Sequence, residues 1–522
     1  TDDPDHAAVR SFAAASRGDS RAQLSRNELI ERLIRRLHRE VRYTGVELGQ
    51  AAIRPGFPSE SLKRRYGDCK DKSLLLVALL RELGVPAELA LVSAGPGLDV
   101  VPDLPGWGVF DHAVVHVPGP PELWIDATDA FSRVGQVPSG DLGRLALPIA
   151  PGTKALIAIP MTTSVDNRVV ETREFFLSET DPVRVVETTD LQGEPEANFR
   201  EGLGQLMASN LKSQMESYAR EVYLAKGAVT ATTSRADDFS RPFQLVVTAL
   251  DARRGYATLK EAGLIIPRMG LFHRLPSDLT EFDPDSLANP AYTRNRTTDL
   301  VLSLPTTVEW HYRIVPPTGY RPDPLPDTLT QSFGPVLFHQ EFAADSNGVV
   351  TGRFLLDPQV ARFKPSETRA FRTKLAEFSR EKQLEVKFHH EGLGLIGEGR
   401  LSEGIQWLKR AVERDPKRAS PHMRMSQGLL EAGMGEAARL EARMATQLAP
   451  KDVATHENLA EVLSHDLLGR LHRRGFDPAG AGAAYHKAIE LDHDNKRLAV
   501  GLAILEEFNA AGGLGGRKAE LL

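Results

Sequence analysis

The residues best suited to chemistry in this 522-residue chain gather around its single cysteine, Cys69, in RYGDCKDKSLLL. A helix is expected to begin there, and the unpaired N–H groups and dipole of a helix start favour thiolate over thiol. Lys70 and Lys72 add positive charge nearby, while Asp68 and Asp71 oppose it. A thiolate that attacks a carbonyl needs a proton acceptor and donors for the oxyanion it creates. The Cys69 backbone N–H is the natural first donor. The proton acceptors on offer are His112 and His116 in FDHAVVHV, followed by Asp126 and Asp129 in LWIDATD. On a strand His112 and His116 share a face, so spacing leaves both open. An Asp on the adjacent strand would hold an imidazole in the tautomer that accepts the thiol proton. Each residue also has a plain structural use, because free Cys packs as a small hydrophobe.

These side chains need a scaffold, and the surrounding pattern supplies one. From Ser25, a cap-like Ser and Asn precede Leu29, Ile30, Leu33, Ile34 and Leu37 on one helical face. A short strand-like piece follows over Tyr43 to Leu48, then a Pro/Gly-rich loop. The helix opened by Cys69 runs through KSLLLVALLREL to a stop at Gly84-Val85-Pro86. Strands are expected in AELALVS, HAVVHVP and LWIDAT, which makes a compact α+β unit over 25–155. Residues 1–24 lack periodicity and read as a linker or partly ordered lead-in.

Taken together, RYGDCKDKSLLLVALLRELGVPAELALV, DHAVVHV and LWIDATD resemble the core of the transglutaminase-like superfamily, related in fold to papain-like thiol enzymes. The resemblance implies Cys69 as nucleophile, His112 rather than His116 as base, and Asp126 as the acid that orients it. It also implies a second oxyanion donor upstream, for which Tyr43 and Gln50 are candidates. GDCKDK with upstream RYTGVELG resembles a bacterial subgroup that joins this core to β-rich domains, frequently with a further β domain in front. An extracytoplasmic location follows from that resemblance alone.

Over 156–385 strand-like runs such as VVETREFFL, VRVVETTDL and TVEWHYRIV alternate with turns. One or two antiparallel, sandwich-like modules are expected there, with a helix at about Leu203 to Leu224. Residues 386–522 read as a helical solenoid. Pro416 and Pro450 lie 34 residues apart, the tetratricopeptide (TPR) period. Small residues such as Gly404, Ala411, Ala438, Ala442, Ala445, Ala481 and Ala488 fall where paired helices must approach closely. A third unit is lengthened by a loop around Gly469 to Asp477, and a helix near Arg497 to Phe508 would cap the stack.

A formal charge of -6 and a pI near 6.2 give no reason to expect a nucleic-acid partner. The longest apolar run, Leu74 to Leu80, is far too short to span a membrane. One cysteine excludes an internal disulfide and a cysteine-based zinc site. Adjacent His389 and His390 point apart on a strand, and His465 and His472 could share a helix face, but neither pair specifies a metal. The tail AAGGLGGRKAE lacks the ending of a phosphate loop, so no cofactor is implied. The chain begins at Thr1 with no Met and no signal-like segment, as a processed or trimmed product would. Two function classes remain. One is a cysteine enzyme, a protease, amidase or acyltransferase acting on a peptide or protein amide, with a protein partner at the TPR-like groove. The other is an inactive scaffold for protein interaction.

Overall fold

The computed structural model describes residues 3–17, 24–45, 49–95, 99–103, 106–179, 181–204, 206–280, 297–493 and 495–510. Parts of three features read from sequence lie outside the described residues: 46–48 of the early strand, 1–2 and 18–23 of the lead-in, and 511–520 of the Gly-rich tail.

The first region is α+β. Helix α1 (His6–Arg17) occupies the stretch expected to be a lead-in. Its buried residues Val9, Phe12, Ala13 and Ser16 recur at three- and four-residue spacing, and the first three join the core beneath the site. Their small, polar neighbours hide that stripe in the sequence. Helix α2 (Arg26–Glu40) starts in a capping box, with Ser25 and Glu28 exchanging side-chain and backbone bonds. Strand β1 (Arg42–Tyr43), helix α3 (Pro58–Arg64), strand β2 (Tyr66–Gly67) and helix α4 (Cys69–Glu82) follow. Strands β3 (Glu88–Val92), β4 (His112–Val117), β5 (Leu123–Ile125), β6 (Leu145–Ile149) and β7 (Ile157–Ala158) form an antiparallel sheet in the order β5-β4-β3-β6-β7. It therefore has two more strands than expected and runs past residue 155.

Helix α4 is the spine of this region. Its apolar run places Leu75, Leu76, Val77, Leu79 and Leu80 in the core. It ends where Val85 N–H donates to the Leu80 carbonyl and Gly84 N–H to that of Arg81. Gly84 takes a φ of 77°, which L side chains rarely adopt.

The middle region holds an eight-stranded sheet and a four-stranded sheet that share one core, rich in phenylalanine. The larger sheet is not purely antiparallel as expected, because Arg168–Phe176 pairs in parallel with Thr307–Val315. Parallel neighbours need a long crossover, and more than a hundred residues intervene. The helix expected over Leu203 to Leu224 is present as Ala208–Val222, and a further helix, Glu194–Gly202, precedes it. The smaller sheet includes Leu384–His390, so the strand region extends to residue 390 rather than 385.

Beyond it, helices Glu391–Gly397 and Leu401–Arg414, Ala419–Glu431 and Gly435–Leu448, and Val453–Leu463 and Pro478–Leu491 form TPR-like pairs, followed by Lys496–Ala510. Ala438, Ala442, Ala445, Ala481 and Ala488 are fully buried at the helix contacts. His465 and His472 do not share a helix face. They lie in the loop after Val453–Leu463, and His472 stacks on Phe508. His390 caps the first helix of the stack while its neighbour His389 bonds Asp323, so the two point apart. No helix among the described residues is long and apolar enough to cross a membrane.

Candidate active site

The site is assembled by the start of α4 and the adjacent ends of β4 and β5. Asp68 caps α4, its Oδ1 accepting from the Asp71 N–H at 3.1 Å. A Cβ at Gly67 would lie 2.7 Å from that of Asp71, so glycine is required where β2 turns into α4. Lys70 pairs with Asp68, and Arg64 with Asp71, so these charges are consumed in holding the turn. Cys69, the first residue of α4, is 8% exposed. The Ser73 hydroxyl, one turn on, donates to the Ala113 carbonyl at 2.9 Å, fastening α4 to β4 next to His112. Ser73→Ala leaves that buried carbonyl without its donor. The expected cost is about 1–2 kcal/mol in denaturant unfolding, with slower alkylation of Cys69.

His112 opens β4, and its Nε2 lies 3.1 Å from Asp126 Oδ2. Asp126 follows β5, and its Oδ1 accepts from the Thr128 N–H and hydroxyl, each at 2.7 Å. Burial pulls the His112 imidazole down. The hydrogen bond to Asp126, the interaction with Cys69 and the charges of Asp126 and Asp141 outweigh it and push His112 up to about 11. Burial likewise opposes ionisation of Asp126, but the partner imidazole and Thr128 hold it below the usual carboxylate range. The pair is thus arranged as imidazolium and carboxylate.

His116, equivalent by spacing, is committed elsewhere. Its Nε2 bonds Glu122 at 2.7 Å and its ring stacks on Trp124 at 4.5 Å. Asp129, the other acid in LWIDATD, accepts from the backbone of Phe131 and Ser132 and shapes the turn. Tyr43 lies on β1, paired in parallel with Gly67, two residues before Cys69. Gln50 is in an exposed short helical turn, Gly49–Ala52. The structure thus brings Cys69, His112 and Asp126 together, with Tyr43 on the strand beside the approach to α4.

Three further residues complete the surroundings. Lys72, buried on α4, bonds His38 Nδ1 at 3.3 Å. Burial draws Lys72 down to about 8, against the pull of Asp126. Burial and Lys72 hold His38 down at about 3, so its ring stays neutral. The third is Asp141, which lies in the turn before β6 and is 2% exposed. Burial and the Asp126 charge push it up to about 7. In the sequence it is one aspartate in a Gly-rich loop, and nothing in its spacing marks it. Donor atoms of His112, Asp126 and Asp141 lie within 4.8 Å of one another, a spacing a cation could bridge. The His112–Asp126 hydrogen bond already joins two of them.

A cavity of about 270 Å³ runs from Asp126 and Asp129 to Glu194 and Glu201 of the middle region. Arg133 ties these regions, bonding both oxygens of Glu196 and the carbonyls of Phe239 and Arg241. Larger cavities, about 630 Å³ beside α1 and α3 and about 530 Å³ between the strand region and the helical stack, have no triad residue in their lining.

Residues 11–128 match the transglutaminase-like superfamily core. No curated protein matches the chain. A solved structure from Parabacteroides distasonis, described as a presumed protease, is 14% identical with a TM-score of 0.42. The alignment covers 73% of this chain and 55% of the other, so the chain spans about half that protein's length. The first TPR of Spaghetti (RPAP3), bound to an HSP90 peptide, is 14% identical over 23% of this chain and 88% of its own, with a TM-score of 0.20. The Sgt2 TPR domain of Aspergillus fumigatus is 21% identical over 23% and 76%, also with a TM-score of 0.20. The segment matching the transglutaminase-like superfamily contains Cys69, His112 and Asp126.

Proposed function

We propose that this chain is a cysteine enzyme that performs acyl chemistry on a peptide or protein amide. The observation that carries the proposal is the Nε2 bond of His112 to Asp126 on the strands facing the Cys69 helix start. With Nε2 engaged by Asp126, Nδ1 is the nitrogen that holds the proton taken from the thiol, which leaves His112 as imidazolium. The Cys69 sulfur attacks the amide carbon, a C–S bond forms, and the carbonyl oxygen becomes an oxyanion. The Cys69 N–H is its first donor and Tyr43, ahead of Gln50, the second. His112 returns its proton to the amide nitrogen as the C–N bond breaks, leaving a thioester on Cys69 and releasing an amine. Water then gives a carboxylic acid and restores the thiol, whereas an acceptor amine gives a new amide. Hydrolysis is the preferred outcome. The helical repeats recruit a protein segment through their groove.

The burial of Cys69 favours a second reading, an inactive domain kept as an interaction scaffold. Alkylation separates the two. Iodoacetamide should modify wild-type Cys69 readily at pH 6.5, and His112→Ala should slow it by about 10-fold or more. Equal rates in the two proteins, or no modification of the wild type, would sink the enzyme reading. A peptide library with and without a labelled primary amine then separates cleavage from amine incorporation by mass.

A further inference from the structure

We infer that Asp141 is a positioning residue of the triad, a second carboxyl beside the His112–Asp126 pair that governs how firmly the His112 proton is held. The inference rests on the Cys69 reading above but concerns a residue outside it. Three observations carry it. One Asp141 oxygen lies within 4.8 Å of donor atoms on both His112 and Asp126. The side chain is buried, and its Oδ2 has no hydrogen-bond partner among the described residues. The turn is also rigidly placed: the Asp141 N–H donates to the Pro138 carbonyl at 2.9 Å, and the Asp141 carbonyl accepts from Arg144 at 3.2 Å. A buried carboxyl oxygen without a donor is costly unless it is protonated or faces a cation. The cation it faces is the His112 imidazolium.

The groups around Asp141 come from several elements. His112 of β4 is the one that favours its ionised form. Asp126 and Asp129 after β5, and Asp111 before β4, oppose it. Behind Asp126 stands Lys72 of α4, which bonds the neutral His38 of α2 at 3.3 Å. This balance leaves Asp141 poised near neutrality, in agreement with its raised pKa. When neutral, it leaves Asp126 as the one carboxylate facing the imidazolium. When ionised, it adds a second negative charge, and the imidazolium gives up its proton less readily to a leaving amine. Asp141 therefore tunes His112 as an acid without touching the reacting atoms.

The test follows His112 and Cys69 in the full chain. Histidine nitrogen NMR should show the His112 titration midpoint lower by about one to two pH units in Asp141→Asn, because one nearby charge is gone. The pH profile of Cys69 alkylation should contain a step near neutrality in wild type, lack it in Asp141→Asn and regain it in Asp141→Glu. A purely structural role would alter melting but neither midpoint nor step. Should Asp141→Asn fail to fold, infrared difference spectra of the wild type decide instead. A buried carboxyl stretch lost between pH 5 and 9 supports the inference, and its absence overturns it. A folded Asp141→Asn with the wild-type midpoint and step also overturns it. Wild-type Cys69 that never reacts would instead count against the enzyme reading, with the His112 midpoint still judging Asp141.

Discussion

Asp126→Asn is expected to slow acylation of Cys69 by a chromogenic ester by about 10³- to 10⁴-fold, with the fold intact. The cause is a forced tautomer rather than a lost contact. Oδ1 of Asp126 accepts from the Thr128 backbone N–H, a donor that cannot reverse. In the asparagine variant the amide oxygen must therefore keep that position, and the amide nitrogen turns to His112. A donor facing Nε2 obliges Nε2 to accept, so the ring proton moves to Nδ1, the nitrogen needed for the thiol. Asp126→Ala removes the carboxylate without imposing the wrong tautomer, and a water in its place can accept from Nε2–H. Alanine should thus be less damaging than asparagine, although it is the larger deletion. Asparagine and alanine rates in the opposite order would refute the tautomer argument. A change below about 10-fold in both would remove Asp126 from the triad.

How much of this was legible beforehand depended on how local each cause was. Cys69 at a helix start could be read because cap, apolar run and Gly84-Val85-Pro86 stop lie within a short span. His112 and Asp126 could be shortlisted because they border two apolar strands. The choice against His116 could not be read from spacing, since both rings leave the same face of β4. It depends on Glu122 and Trp124, which reach His116 only once β5 pairs with β4. Asp141 was invisible for a related reason, because folding brings the turn before β6 to the end of β4. The parallel pairing of Arg168–Phe176 with Thr307–Val315 escaped because either partner alone alternates like any antiparallel strand. Helix α1 is a local miss, its stripe broken by alanine and serine that also suit a linker.

The largest stability effect should come from the middle region, where sequence gave no hint of a charged core. Arg173, 1% exposed, donates from Nε to Glu187 at 2.9 Å and from Nη1 to the Tyr312 hydroxyl at 2.9 Å, and it pairs with Glu171. Its guanidinium also lies 4.0 Å from the Trp310 ring centroid. Arg173→Met keeps the volume and removes the cation, leaving Glu171 and Glu187 buried with fewer partners. Breaking a buried pair from one side typically costs about 3–5 kcal/mol. The lower end is expected, because Arg274 still reaches Glu171, and the Tyr218 and Tyr223 hydroxyls still reach Glu187. Burial already holds Glu171 above the usual carboxylate range, against the opposing charge of Arg173. Without that charge its folded value rises further above the unfolded one. The variant's deficit should therefore be smallest while Glu171 is protonated in both folded proteins and grow as pH rises through the raised wild-type folded value. Denaturant unfolding followed by tryptophan fluorescence, at pH 5 and pH 8, reads both quantities. Adding Glu171→Gln and Glu187→Gln should recover much of the loss, since no uncompensated charge is then buried. A loss below about 1 kcal/mol in Arg173→Met would place this cluster with ordinary surface pairs, whatever its burial.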